Sequence, residues 1–196
     1  MTGVILPLFV GTPQFIYTPG TTSITIPTGA TYIVAYLQAA GGSSKGRASP
    51  VDGSAGGGGA YAKISRDILV GEQGTNLTVA IGAGSAGNNG GNTTLSGTLN
   101  GSAVSVTCNG GTKGTTLVDG SGGSASGGDT NISGEDGYGY VAGPPGDEAP
   151  GTPGRGGSWD QTGALRYDIF GPGTGGIASV VDEPGFDGYI LIEWSY

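Results

Sequence analysis

The chain has 196 residues, of which 45 are glycine and 11 proline, and only 11% are charged. Its length suits one β domain with a real core, and so little charge argues against a disordered low-complexity chain. A net charge of −8 disfavours nucleic acid and anionic membrane surfaces as partners. One cysteine and no histidine exclude an intramolecular disulfide, the usual Cys/His zinc site and a histidine-activated thiol.

The chain opens on Val4-Ile5-Leu6-Pro7-Leu8-Phe9-Val10, apolar but far shorter than the roughly 20 residues of a membrane span. No basic run precedes it, as a signal peptide would require. It reads as an edge or core strand. The alternative is an arm, residues 1–13, that docks into a partner subunit through Val4, Ile5, Leu6, Leu8 and Phe9.

Strand signals follow in quick succession. Gln14-Phe15-Ile16-Tyr17 stops at the turn pair Pro19-Gly20, and Ser23-Ile24-Thr25-Ile26 alternates until Pro27 removes a backbone donor. Residues 31–38, rich in β-branched and aromatic side chains on both faces, predict a central, doubly buried strand. Residues 60–65 and 67–70 read as two more, and Leu77, Val79 and Ile81 mark one face of another. Residues 92–99 and 103–108 flank Asn100-Gly101, the common two-residue hairpin signal. Cys108 falls in phase with Val104 and Val106, as a small buried hydrophobe does. The last strand, residues 188–194, carries Ile190, Ile192 and Trp194 on one face. No window keeps a helical period for three turns. The fold class is therefore all-β, a sandwich or jelly-roll-like scaffold.

Between the strands lie glycine-rich tracts at 41–59, 82–91, 109–128, 134–157 and 171–176. Gly143-Pro144-Pro145-Gly146 begins like collagen, but Asp147-Glu148-Ala149-Pro150 breaks the Gly-X-Y rule. Without a Cβ, extended threefold helices of the polyglycine II type pack closely and bond backbone to backbone. Such packed helices and ordered irregular loops are both compatible with the tracts. The chain divides into the arm 1–13 and one glycine-rich β domain, 14–196, with β scaffold at 14–108 and 186–196 and a glycine-rich loop region at 109–185.

From residue 14 onward the order of pieces resembles the glycine-rich domain of many bacteriophage tail proteins. Phe15 to Pro19-Gly20, Ser23-Ile24-Thr25-Ile26-Pro27 and Ala30 to Leu37 lead to Gly56-Gly57-Gly58-Gly59-Ala60-Tyr61-Ala62-Lys63. Leu77 to Gly84, Gly90-Gly91-Asn92-Thr93-Thr94, Gly127 to Gly134 and Gly185 to Trp194 complete the pattern. The resemblance implies a virion component, often at a fibre tip or baseplate and often trimeric. Some phage adhesins of similar composition display receptor-binding loops on packed polyglycine helices. Residues 109–176 depart from that pattern in carrying more acidic and proline residues.

The acidic pairs Glu135-Asp136, Asp147-Glu148 and Asp182-Glu183, with Asp187, suit a solvated surface. Calcium is the alternative, without EF-hand spacing, and glycoside hydrolysis a remoter one. No Gly-Lys-Ser/Thr phosphate loop is present. No catalytic, cofactor or metal residue is assigned. Aromatic residues in or beside the tracts are the binding candidates: Tyr138, Tyr140, Trp159, Tyr167 and Phe170. Rigid rings on small-residue loops supply contact area and hydroxyls, as in binding loops, and the alternative use for them is to anchor the loops onto the sandwich.

The expected function is a non-enzymatic virion structural protein, a tail fibre or tail-tip component that binds a host glycan or outer-membrane protein. It would assemble with other virion proteins and with copies of itself, as a trimer by resemblance. A capsid decoration or head-fibre protein is the alternative, and a secreted ice- or surface-binding protein a distant one.

Overall fold

The computed structural model of the chain describes residues 11–45, 54–116, 118–137, 173, 175 and 182–196. Ten strands form in chain order: β1 (Gln14–Ile16), β2 (Gly20–Thr25), β3 (Tyr32–Gln38), β4 (Tyr61–Asp67), β5 (Asn76–Ile81), β6 (Thr93–Leu99), β7 (Ser102–Cys108), β8 (Ala125–Ser126), β9 (Thr130–Ile132) and β10 (Tyr189–Ser195). They make two antiparallel five-stranded sheets, ordered β1-β10-β3-β4-β9 and β2-β5-β6-β7-β8. The sheets pack face to face as a sandwich. β1 runs straight into β2 and β8 into β9, so each short link joins an edge of one sheet to an edge of the other.

The alternation read from the sequence sets which side chains meet between the sheets. Ile33 and Leu37 of β3, Ile64 of β4, and Ile190, Ile192 and Trp194 of β10 face Leu77 and Val79, Leu95 and Leu99, and Val106 and Cys108. Burial of each large aliphatic contributes about 1.5–3 kcal/mol. β3 is central and largely buried on both faces, since Val34 and Gln38 on its outer side are also covered. The β6–β7 hairpin turns at Asn100 (φ 53°) and Gly101 (φ 71°), the left-handed pair that a type I′ turn needs.

Two expectations are corrected. Residues 67–70 do not form a strand of their own. Asp67 closes β4, and a single 3-10 turn, Val70–Glu72, follows, with Leu69 and Val70 exposed. The cause is Glu72, a residue only 7% exposed, whose carboxylate accepts N–H bonds from Leu69 (2.9 Å), Asn100 (3.0 Å) and Gly101 (2.7 Å). Those bonds curl the chain and staple it to the hairpin. The second correction lies inside the tract 109–185, read as loop. β8 and β9 form there and add one strand to each sheet.

Of the ten strand ends at one end of the sandwich, the end of β1 and the start of β2 meet in a short link, and the other eight continue into glycine-rich segments. β3, β5, β7 and β9 lead out of that end, and β4, β6, β8 and β10 lead back in. The described chain begins at the opposite end, where Gly11 lies against Trp194 and Tyr196.

Candidate functional site

The glycine segments form a bundle whose bonding repeats every third residue. In the segment after β3, the amides of Ala39, Gly42 and Lys45 donate to Ala60 (2.9 Å), Gly57 (2.9 Å) and Ser54 (3.0 Å). Ala40 and Ser43 turn to Gly91 (3.2 Å) and Asn88 (3.0 Å), and Gly41 and Ser44 to Phe186 (3.0 Å) and Glu183 (2.9 Å). One segment thus serves three neighbours in strict rotation. A β-ladder alternates every two residues, whereas a step of three is that of an extended threefold helix. The segment after β7 repeats the rule. Asn109 and Thr112 donate to Ser124 and Ser121 (2.8 Å each), and Gly111 and Gly114 to Ala40 (3.0 Å) and Ser43 (2.8 Å). Of the two arrangements compatible with the tracts, these segments adopt the packed polyglycine II type.

The spacing explains the residue type. A Cβ built on Gly42, Gly57, Gly111 or Gly134 would come closer than 3.0 Å to the backbone of a neighbouring segment. Where a neighbouring carbonyl is missing, a side-chain oxygen stands in. Asn92 Oδ1 accepts from Gly110 N–H (3.1 Å), and Asn89 Oδ1, three residues earlier, accepts from Lys113 N–H (2.9 Å). Asp119 takes the amide of Ala55 (2.9 Å), Asp136 that of Gly122 (2.8 Å) and Asp187 that of Gly84 (2.7 Å). Two of the acidic residues that composition left open to calcium thus cap backbone donors. Among the described residues no group of three or more His, Cys, Asp or Glu side chains is placed to hold a metal.

A model of the glycine-rich domain family matches residues 17–194. The chain belongs to the glycine-rich domain family. No curated protein sequence matches it. Within this glycine-rich domain, the far end of the bundle carries the turns. Ser85–Asn88 closes one pair of segments as the Asn88 N–H donates to the Ser85 carbonyl (3.4 Å), and Thr115 and Val118 exchange N–H to carbonyl hydrogen bonds (2.8 and 3.1 Å) in a second turn. The Lys45–Ser54 bridge joins the ends of a third pair.

These turns surround a cleft of about 260 Å3 lined by Ser44, Lys45, Lys113, Thr115, Thr116 and Asp182, among others. Lys45 Nζ lies 3.0 and 3.2 Å from the two carboxylate oxygens of Asp182. Lys113 Nζ donates to the neutral Gly87 carbonyl at 3.2 Å and has no carboxylate partner among the described residues. Single lysines in small-residue tracts carry no motif, and only the register of the glycine helices brings these two together.

The predicted receptor-binding residues Tyr138, Tyr140, Trp159, Tyr167 and Phe170 lie outside the described residues, as do the docking candidates Val4, Ile5, Leu6, Leu8 and Phe9. A different set of rings stands on the outer face of the first sheet of this domain. Phe15, half exposed, stacks on Tyr189 (centroids 5.1 Å apart) and meets Tyr17 at 5.8 Å. Nearby, Lys63 Nζ sits 5.4 Å from the Tyr36 ring centroid, and Tyr36 Oη donates to Glu193 (3.2 Å). Burial first, and then the Glu193 charge, raise the Tyr36 pKa. The one thiol, Cys108, is fully buried, which pushes its pKa up to about 12 and leaves it protonated.

Proposed function

We propose that this glycine-rich domain is a non-enzymatic virion structural protein, a tail fibre or tail-tip component that presents the far end of its glycine bundle to a host receptor. The observation that carries the reading is the polarity of the chain. The described segments that follow β3, β5, β7 and β9 all leave one end of a rigid sandwich and join a hydrogen-bonded bundle there, while Gly11 lies against Trp194 and Tyr196 at the other end. Such a stalk holds loops at a distance from its base, and binding residues are disproportionately found on loops that a rigid scaffold positions. The resemblance to phage tail domains supports the virion as its location, other virion proteins and a host glycan or outer-membrane protein as its partners, and a trimer as its assembly. A protonated, buried thiol and the lack of histidine support a non-enzymatic role.

Mass spectrometry and immunogold labelling of purified particles test the reading, and the protein's absence from particles would sink it. A competition assay tests its second half: purified protein added to host cells should slow particle adsorption. The alternative, a capsid decoration or head-fibre protein, is favoured by the apolar run 4–10, suited to docking on other subunits. Labelling of heads rather than tails would select it.

A further inference from the structure

We propose that the cleft between Lys45 and Lys113 binds a single carboxylate-bearing sugar residue, such as a uronic acid. The proposal rests on reading the far end of the bundle as the receptor-binding face, and it names the chemistry of what is bound there.

Charge comes first. The chain carries −8 overall, and the described residues hold four cations, Lys45, Lys63, Arg66 and Lys113. Two of those four line this one cleft. Among the described residues Asp182 pairs with Lys45 at 3.0 Å and no carboxylate pairs with Lys113, a count of one net positive charge. Its ammonium spends one donor on the Gly87 carbonyl and keeps two for a ligand. A single monoanion matches that balance. A dianionic phosphate would meet the Asp182 carboxylate in the same space, and a polyanion would meet the field of the whole chain. Lysine is also a point charge, without the two-pronged geometry by which arginine favours phosphate.

The neutral partners fit a sugar. Thr115 and Thr116, both exposed, offer hydroxyls that donate to and accept from ligand hydroxyls. About 260 Å3 is slightly below the roughly 300–1,000 Å3 of drug-sized pockets, so the space suits one ring rather than an oligosaccharide. The frame is already built. Lys113 is pinned through its own amide to Asn89 (2.9 Å), Gly114 through its amide to Ser43 (2.8 Å), and Thr115 through its pairing with Val118. Little ordering entropy is then lost on binding.

The test uses the full chain, with methyl β-D-glucuronide, methyl β-D-glucoside and inorganic phosphate as probes in amide chemical-shift titrations. The glucuronide should shift the amides of residues 113–116 and 45 with saturation, and the glucoside and phosphate should bind at least about fivefold more weakly. Lys113→Gln should weaken the glucuronide roughly fivefold to tenfold, a range set by a charge-assisted bond in a solvent-open cleft. Lys63→Gln, outside the cleft, should leave it unchanged and show that loss of any one cation is not enough. Equal binding of phosphate, shifts scattered over the surface, or an unchanged affinity in Lys113→Gln would each overturn the proposal. Adsorption competition separates the two levels. If wild-type protein competes and Lys113→Gln competes equally, the cleft proposal falls and the receptor reading stands. If the glucuronide titration succeeds and wild-type protein does not compete, the receptor reading falls alone.

Discussion

Adding one methyl group to Gly57 probes the whole bundle. The Gly57 amide donates to Thr112 (3.0 Å), and its carbonyl accepts from Gly42 (2.9 Å). A Cβ there would fall on the Ser121 carbonyl of the adjoining segment, closer than 3.0 Å and roughly 1 Å or more inside van der Waals contact. The obstacle is backbone on both sides, so no rotamer change relieves it. Overpacking costs about 1–3 kcal/mol, and stretching two buried backbone bonds adds about 1 kcal/mol each. The gain of about 0.4–1 kcal/mol from a stiffer unfolded chain offsets part of this. Gly57→Ala should therefore destabilise by about 2–4 kcal/mol in urea denaturation. Gly71→Ala is the control. Nothing lies within 4 Å of its Cβ and its φ is negative, so its stability should stay within about 0.5 kcal/mol or rise. Equal stability of Gly57→Ala and wild type would refute close packing of the segments.

Three further outcomes follow. Glu72 is buried, which by itself raises its pKa, but the N–H bonds from Gly101, Leu69 and Asn100 outweigh that and hold it below the usual carboxylate value. A lowered folded pKa gives stability that is present above the unfolded value near 4.5 and lost as pH falls through the folded one. Glu72→Gln should thus cost about 1.5–3 kcal/mol at pH 7 by urea denaturation, and the gap to wild type should narrow below about pH 4. Cys108, protonated and bonded through Sγ to the Leu37 carbonyl (3.7 Å), should resist a thiol reagent at about pH 8 in the native state and react once in urea; rapid native labelling would contradict its burial. Amide exchange should find residues 39–44 and 109–114 as protected as β3, whereas exchange at coil rates would show the bundle to be transient.

The sequence exposed those elements whose side chains report on burial. β3, β5, β7 and β10 announce themselves through alternating or doubly apolar residues, and Asn100-Gly101 marks the hairpin between β6 and β7. β8 and β9 stayed hidden because Ala125, Ser126, Thr130 and Asn131 carry no alternating apolar pattern, and their pairing is dictated by β7 and β4. β2 begins at Gly20 rather than Ser23, since Thr21 and Thr22 stand exposed on an edge that sets no hydrophobic pattern. The bundle was legible only as a possibility. Glycine offers no side chain from which to read a period, and the cues that exist are indirect: Asn89 and Asn92 three residues apart, and aspartates that serve as amide acceptors. The cleft was not legible, because Lys45 and Lys113 meet only through the register of the backbone.

A scaffold that counts in threes has a bearing on how such a protein diverges. Lengthening an outgoing and a returning segment by three residues each raises a turn by about 9 Å and leaves every amide facing its old neighbour. A change of one or two residues rotates the donors away from theirs. The outermost turns are thereby free to grow, shrink or be exchanged in whole steps, while the stem beneath tolerates scarcely an added methyl. Divergence can then be confined to the summit, on a shaft that needs no redesign.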